Sequence, residues 1–194
     1  MVEQLPENEL FYCTHISSSD SDRADIAKFT VRHKTGMGLV YYLQNQAIDD
    51  EDAGLMRSYL VRSKITNELA GYYSIKAGLV STNEHRLFTR SFDTIPGIEL
   101  ANFAANASFT EKFDIKGIGS VIFGDFVLPI ISQASLKIGV NIIYLFALPY
   151  DSLIKTYLGY GFKRLNKRQE ARLHHRLKPN YDKSCIFMFR RLDE

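Results

Sequence analysis

A pair of glycines stands directly in front of the longest apolar run of the chain. Lys116-Gly117-Ile118-Gly119 precedes a segment in which an apolar residue recurs every four positions from Ile118 to Ile138. This spacing predicts a helix over roughly 118–137, with Pro129 as a kink. The glycines either let the backbone turn sharply before a buried helix, or they clear side chains from its start so that N–H groups can bind a phosphate.

Hydrophobic patterning in the rest of the chain predicts strands alternating with helices. The predicted strands cover 10–17, 55–65, 68–80, 97–106, 140–148 and 183–192. The other predicted helices cover 17–34 and 151–160, and residues 39–47 fit either a helix or a strand. We expect connections at 83–90 and 107–114, and a turn at Thr66-Asn67. The order predicts an α/β fold around one largely central sheet.

Composition is ordinary for a soluble globular protein, at 194 residues with 45% hydrophobic and 24% charged content. We therefore expect a single domain over 1–194. The first ten residues carry acids and do not resemble a signal peptide, and the apolar run 117–131 is expected to be too short to span a membrane. Cys13 and Cys185 are interpreted as reduced core residues. A cytoplasmic protein with no membrane partner is the expectation.

Positive charge is concentrated in the last fifth of the chain. Residues 155–194 contain eleven Lys and Arg against four Asp and Glu, whereas residues 1–154 contain thirteen against eighteen. A basic segment suggests an anionic partner, such as a phosphorylated ligand or nucleic acid, but on charge alone a solvated charged face is the better explanation.

Two common phosphate-binding loops are excluded by the residues around the glycine pair. A Walker loop requires Gly-x-x-x-x-Gly-Lys-Ser/Thr, which the segment does not contain. A dinucleotide-binding fingerprint requires a third glycine at position 122, which is Ile. A Gly-x-Gly turn that opens a helix is what remains.

The order of strand, KGIGS turn, apolar helix, IIYLFAL strand and YLGYGF resembles the GNAT superfamily of N-acetyltransferases, clearly from about residue 68 to 165. In that family an Arg/Gln-x-x-Gly-x-Gly/Ala turn binds the pyrophosphate of acetyl-CoA through successive N–H groups. A later Tyr-x-x-x-Gly-Phe, matched here by 157–162, lies beside the thioester. The resemblance implies a GNAT-like α/β fold, with a central mixed β-sheet flanked by helices, and acetyl-CoA as cosubstrate.

The resemblance also implies roles for particular residues. Tyr157 would protonate or hydrogen-bond the departing sulfur, and Glu99 would be the general base that accepts the proton of the amine. The predicted cofactor-binding residues are Phe103, Ala104, Ala105, Ile115, Lys116, Gly117, Ile118, Gly119 and Ser120. No metal site is predicted, and His174-His175 are interpreted as solvated histidines.

Three departures from the family pattern bear on the cofactor. Asp114 occupies the position of the usual Arg or Gln, Tyr150 stands where many members have Asn, and the segment 107–113 is longer than the common version. Asp114 and Tyr150 favour a second hypothesis, a non-catalytic CoA-binding sensor or interaction module, whereas Tyr157 and Glu99 favour an enzyme.

The acceptor amine has several candidates. A small molecule and a protein amine are the first hypothesis. GYYSIKAGLV, at 71–80, resembles the third strand of toxin-like members that acetylate aminoacyl-tRNA, so nucleic acid in the form of tRNA is a possible partner. The basic residues that could then follow an RNA backbone are Lys163, Arg164, Lys167, Arg168, Arg172 and Arg176. A homodimer is a further possible assembly.

Overall fold

The structure is a computed structural model and describes residues 4–81, 94–176 and 184–193. The connection predicted at 83–90 lies outside these residues. The strands are β1 Phe11–His15, β2 Arg57–Ser63, β3 Leu69–Ser81, β4 Thr94–Ala105, β5 Ile142–Ala147, β6 Lys163–Arg164 and β7 Ile186–Arg191. The α-helices are α1 Asp20–Ala27, α2 Met37–Asn45, α3 Ala47–Asp52, α4 Ala107–Lys112, α5 Ile118–Val121, α6 Leu128–Lys137, α7 Asp151–Gly159 and α8 Lys167–Arg176.

The strands within the described ranges form one mixed sheet in the order β1-β2-β3-β4-β5-β7-β6. Strands β1 and β2, β2 and β3, β5 and β7, and β6 and β7 pair antiparallel. Strands β4 and β5 pair parallel, from Gly97 opposite Ile142 to Glu99 opposite Tyr144. A parallel pair needs a crossover connection, and α4, α5 and α6 supply it. The predicted mixed sheet flanked by helices is confirmed.

Two compact units make up the chain. The first contains residues 1–76 and 101–133, and the second contains 77–100 and 134–194. Strands β3 and β4 contribute residues to both units, as does the helix Ile118–Lys137. The prediction of one domain over 1–194 stays a prediction.

A buried ion network fixes α1 against β2 in the first unit. Arg62, whose side chain is 4% exposed, donates from Nη2 to Asp22 at 2.7 Å and from Nη1 to Asp25 at 2.5 Å. Asp22 also accepts from the Ser17 N–H at 2.9 Å, and Ser19 caps the helix by accepting from the Asp22 N–H. Because a buried guanidinium is stable only when its donors are satisfied, this network holds α1 in one position against β2.

The apolar core of the first unit lies between α1, α2 and the first strands. Its buried members are Ile16, Ile26, Phe29, Val40, Tyr42, Leu43, Ala47, Leu60, Leu69, Tyr72 and Ala104. Phe29 and Tyr72 meet edge to face with ring centroids 5.2 Å apart, an arrangement that aromatic pairs favour.

Helix α5, a π-helical segment at Ile122–Val127 and α6 form one continuous helix, as predicted. The predicted kink at Pro129 takes the form of this wider segment. Proline has no N–H and its ring crowds the carbonyl four residues earlier, so the regular ladder cannot pass Asp125. The N–H of Leu128 instead donates to the carbonyl of Phe123, five residues back.

By length and composition alone, the helix Ile118–Lys137 could cross a membrane, a test that core helices of soluble proteins also pass. The expectation for the shorter run 117–131 stays a prediction. Ile122, Phe126 and Ile131 have no exposed surface, and the Tyr73 hydroxyl donates to the carbonyl of Phe126 at 3.3 Å. The protein therefore covers these apolar side chains, whereas Leu136 near the end of the helix is exposed.

The second unit has its own core, in which β5 and β7 pack with α8. Its buried members are Val80, Ile95, Ile142, Tyr144, Leu165, Leu173, Phe187 and Phe189, and Phe146 packs against them. Cys185 of this unit and Cys13 of the first are both buried, and no disulfide joins them. Both cysteines therefore have the core position that was predicted for them.

Several predicted boundaries are wrong for tertiary reasons. The helix predicted over 17–34 ends at Ala27, because the Thr30 carbonyl accepts from the N–H of Ala107 and the Thr30 N–H donates to Oδ1 of Asn106. Residues 107–112 form α4 rather than a connection, and residues 37–52 form two helices, α2 and α3. Strand β6 and helix α8 were not predicted as elements.

Candidate functional site

The glycine turn of the first unit has a backbone that only glycine adopts easily. Gly117 has φ of 77° and stands at the start of α5, with no side chain capping the helix. Asp114, three residues earlier, also has positive φ, at 48°. A Cβ added to Gly117 would meet nothing within 4 Å, so glycine is required here by backbone conformation and not by packing.

Several N–H groups of this turn point away from internal partners. The N–H groups of Ser120 and Val121 donate to the carbonyl of Gly117 at 2.9 and 3.2 Å. Within the described chain, the N–H groups of Gly117, Ile118 and Gly119 have no internal acceptor. A helix start with unsatisfied donors and no side-chain cap has the chemistry that anionic oxygens require.

Helix α4 holds the turn beside the end of β4. Asn106 follows β4 directly, and its side-chain amide donates to the carbonyl of Leu69 at 2.8 Å. The main-chain carbonyl of Asn106 accepts from the N–H of Thr110. The carbonyl of Thr110 in turn accepts from the N–H of Ile115 at 3.0 Å. Two groups of predicted cofactor residues, 103–105 and 115–120, are thus linked within one unit.

The three residues at the end of β4 differ in burial. Ala104 is buried in the apolar core, which explains its small side chain by packing. Phe103 and Ala105 are half-buried, and the Phe103 ring lies 6.3 Å from that of Phe123. Ala104 can therefore offer a ligand only its backbone.

In the second unit, Glu99 and Tyr144 form a buried pair. The Tyr144 hydroxyl donates to Oε2 of Glu99 at 3.2 Å, and Glu99 is 9% exposed. Burial, and after it the Glu99 charge, raises the pKa of Tyr144 well above its ordinary value. Tyr144 therefore keeps its proton. The sequence offered no sign of this pair, because the register between β4 and β5 cannot be inferred from either strand alone.

Tyr157 lies on the buried face of α7. Its ring packs edge-on against those of Tyr160 and Phe162, at centroid distances of 6.2 and 5.7 Å. Burial, with a smaller contribution from Tyr160, raises the pKa of Tyr157 well above its ordinary value. The phenol is thus protonated at neutral pH and can act as an acid or a hydrogen-bond donor.

The Tyr-x-x-x-Gly-Phe motif is also a helix terminus. Gly161 has φ of 84° and lies just after α7, where its N–H donates to the carbonyl of Leu158 at 3.0 Å. The N–H of Phe162 donates to the carbonyl of Tyr157 at 3.0 Å, which brings the two rings together. The end of α7 therefore requires a glycine at position 161, whether or not a ligand binds nearby.

Two residues that depart from the family pattern are accessible. Asp114 is exposed, and Tyr150 is 41% exposed as the N-cap of α7, where its side chain makes no capping bond. Neither is held in the core, so neither departure has a packing explanation.

The basic segment of the second unit presents cations on β6 and α8. The exposed members are Lys163, Arg164, Lys167, Arg168 and Arg172, while Leu173 faces the core. Arg164 lies 3.6 Å from Glu170. His174 is not solvated as predicted, because its ring packs 6.2 Å from that of Phe146 and its Nε2 is buried. The side chains of His175 and Arg176 lie outside the described part of the structure.

No protein-family model matches the sequence. Solved structures with the same fold include a tyrosine-to-phenylalanine mutant of KacT, at 18% identity and a TM-score of 0.71, covering 95% of this chain and 96% of that one. AtaT complexed with acetyl-methionyl-tRNAfMet matches at 15% identity and a TM-score of 0.65, covering 91% and 93%. A mutant AtaT toxin bound to the C-terminus of the antitoxin AtaR and acetyl-CoA matches at 15% identity and 0.58, covering 91% of each chain. The predicted GNAT-like fold is confirmed.

Proposed function

We propose that this chain is an acetyl-CoA-dependent N-acetyltransferase. The observation that carries the proposal is the turn at 114–120, where the N–H groups of Gly117, Ile118 and Gly119 lack internal acceptors at the start of a long helix. A pyrophosphate offers the acceptors that these donors need, and the helix dipole favours its charge. Support comes from the fold, which AtaT shares and with which AtaT binds acetyl-CoA.

The remaining cofactor contacts are assigned to main chain. Strand β4 would pair with the pantetheine arm through the backbone of 103–105, and the turn would hold the pyrophosphate through 115–120. Because Ala104 is buried, its side chain has no part in this role. The exposed Lys116 is the cation nearest in sequence to the proposed phosphate.

The proposed reaction transfers one acetyl group from sulfur to nitrogen, and the ammonium loses two protons. The acceptor amine, with a free pKa of roughly 10, must first lose one proton, and Glu99 or a water held by it accepts that proton and passes it to solvent. The neutral nitrogen then bonds to the thioester carbonyl carbon while main-chain N–H groups stabilise the negative oxygen. The carbon–sulfur bond breaks as the nitrogen loses its second proton to Glu99 or water. The Tyr157 hydroxyl hydrogen-bonds the departing thiolate or protonates it, and in the second case Tyr157 regains a proton from water.

Two measurements separate an enzyme from a binding module. Calorimetry with acetyl-CoA should show one site per chain, and incubation with a panel of small amines, lysine peptides and charged tRNAs should release CoA. Binding without turnover on the whole panel would favour the sensor hypothesis.

If Glu99 is the base, Glu99→Gln should reduce kcat/KM most at low pH, where more of the amine is protonated. An unchanged pH profile would return Glu99 to a structural role.

We further propose that the amine belongs to an aminoacyl-tRNA. The specific observation is the set of exposed cations on β6 and α8, since closely spaced Lys and Arg side chains bind phosphate backbones. AtaT, which shares the fold, is complexed with acetyl-methionyl-tRNAfMet. A small molecule or protein amine is the alternative. The homodimer and the cytoplasmic location stay predictions.

Charge reversal tests the tRNA acceptor. In Arg168→Glu with Arg172→Glu, acetylation of methionyl-tRNA should fall by at least about tenfold, with a shallower salt dependence, because two phosphate contacts are lost. Acetyl-CoA affinity should not change. Lys137→Glu is the matched control, since Lys137 is an exposed cation of the same unit outside α8. Equal acetylation by the double variant and the control would contradict the tRNA proposal.

A further inference from the structure

In the second unit, the side chain of Tyr144 extends from β5 over β4 to β3, and it passes a glycine on each of the last two strands. Tyr144 on β5 stands opposite Glu99 on β4 in the parallel register. A Cβ added to Gly97, on β4, would lie 3.2 Å from Cδ1 of the ring. A Cβ added to Gly78, on β3, would overlap the tyrosine hydroxyl itself. Gly78 thus leaves the space that the hydroxyl occupies, and Gly97 leaves space for the Tyr144 ring and for Ile142, which a Cβ there would meet first.

At the end of this path the hydroxyl meets a carboxylate. It donates to Oε2 of Glu99 at 3.2 Å, and Gly78 keeps the far side of the hydroxyl clear. The ring is held from the other direction by Phe187 and Phe146, with centroids at 5.6 and 6.3 Å. A ring packed on this many sides has little rotational freedom, so the direction of the hydrogen bond is fixed by the core.

We infer that Tyr144 is a positioning residue for Glu99, holding one carboxylate oxygen so that the carboxylate keeps its orientation as the base of acetyl transfer. The inference rests on the proposed function of Glu99. A carboxylate has about four acceptor sites, so one bond from Tyr144 leaves acceptor capacity for an amine or a water. Without that bond, a flexible glutamate would lose one of the contacts that orient it.

Among the described residues, the groups packed directly against Tyr144 from the neighbouring strands are uncharged, apart from Glu99. Strand β3 presents Gly78 to the hydroxyl, β7 presents Phe187, and β5 adds Phe146. On α8, the His174 ring packs 6.2 Å from that of Phe146, and Glu170 accepts from the N–H of Phe187 at 3.0 Å. Glu99 is the charged group that acts on the Tyr144 hydroxyl.

Tyr144→Phe is the direct test, because it keeps the ring and removes the donor. The kcat for acetylation of methionyl-tRNA should fall about tenfold while KM for acetyl-CoA stays unchanged, since the base loses a contact that orients it. The protein labelled with δ-13C glutamate provides a readout that does not depend on activity. The Glu99 resonance, identified by its absence in Glu99→Gln, should move at neutral pH, because the carboxylate loses its tyrosine donor.

Controls distinguish positioning from packing. Tyr73→Phe also removes a buried hydroxyl, one that donates to the Phe126 carbonyl, and should leave kcat and the Glu99 resonance unchanged. Gly78→Ala should displace the Tyr144 hydroxyl and reproduce both effects of Tyr144→Phe. Adding Tyr144→Phe to Glu99→Gln should cause no further loss, because Tyr144 acts through Glu99.

The outcomes separate the inference from the proposed function. A kcat and a Glu99 resonance that both stay unchanged in folded Tyr144→Phe would overturn the positioning role, while acetyl transfer by the unmodified chain would still stand. An unmodified chain that transfers no acetyl group would overturn the proposed function and the catalytic meaning of the pair, even where the resonance moves.

Discussion

Gly117 and Gly161 have nearly the same backbone conformation and opposite hydrogen-bonding consequences. Their φ angles are 77° and 84°, and each lies at a helix terminus. Gly117 begins a helix and leaves donors without internal acceptors. Gly161 ends a helix, and its N–H and that of Phe162 are both bonded to carbonyls of α7. We therefore propose that a glycine with positive φ frees N–H groups for a ligand at Gly117, whereas at Gly161 it closes the end of α7.

The largest effect is expected at Gly117. Gly117→Asp would place a negative charge against the proposed pyrophosphate, and acetyl-CoA affinity should fall on the order of 100-fold by calorimetry. Gly117→Asn is the matched control, since Asn has the same shape, tolerates positive φ and has no charge, so its loss should be about tenfold or less. Gly119→Asp should act in the same direction. Unchanged affinity in folded Gly117→Asp and Gly119→Asp would contradict the pyrophosphate site.

Tyr157 provides the next effect, in the second unit. Tyr157→Phe keeps the packing and removes the hydroxyl, so kcat should fall about 10- to 100-fold, because a thiolate of pKa roughly 8.5 to 9 leaves partly unaided. Stability and acetyl-CoA affinity should barely move. Tyr157→Ala should lose more, since it also opens a cavity. Full activity in Tyr157→Phe, equal to that of a Tyr160→Phe control, would make Tyr157 a packing residue only.

A smaller effect is expected at Gly161, and it is one of stability. Gly161→Ala should lower the free energy of unfolding by about 1 to 2 kcal/mol in urea, because alanine is strained at positive φ. The added Cβ would lie 3.5 Å from Arg190, which is an ordinary contact, so backbone strain is the main cost. Acetyl-CoA affinity should be unchanged. Gly117→Ala should lose a similar amount of stability and should also bind acetyl-CoA less tightly. Equal acetyl-CoA affinities of Gly117→Ala and Gly161→Ala would contradict the proposed difference between the two glycines.

The smallest effect is a dependence of stability on alkaline pH. The pKa of Tyr157 is raised above its ordinary 10.0, so above pH 10 the unfolded chain releases this proton while the folded chain keeps it. Stability is therefore fully present below pH 10 and decreases as pH rises. Between pH 10 and 11 the wild-type chain should lose about 1 kcal/mol more than Tyr157→Phe in urea unfolding. Parallel pH curves for the two proteins would contradict this.

The sequence predicted features that depend on local patterns. The apolar repeat located the helix Ile118–Lys137, and runs of apolar and aromatic residues located β2, β3, β5 and β7 to within a few residues. The end of α1 could not be predicted, because it is set by bonds between Thr30 and residues 106–107, far along the chain. The Glu99–Tyr144 pair is likewise a product of strand register, and two glycines 19 positions apart admit it. The assigned roles of the site residues stay predictions.

The π-helical segment before Pro129 determines which side of the helix the later residues face. Residues repeated every four positions advance about 40° too far per turn of a regular α-helix, so Ile118, Ile122, Phe126 and Ile130 would drift around its axis. A turn that takes more residues cancels part of this drift, and all four side chains remain buried. Deleting one residue from 122–127 would rotate everything after it by about 100° and turn Ile130 and Ile131 out of the core. This helix should therefore tolerate many substitutions on its exposed side but no change in its length.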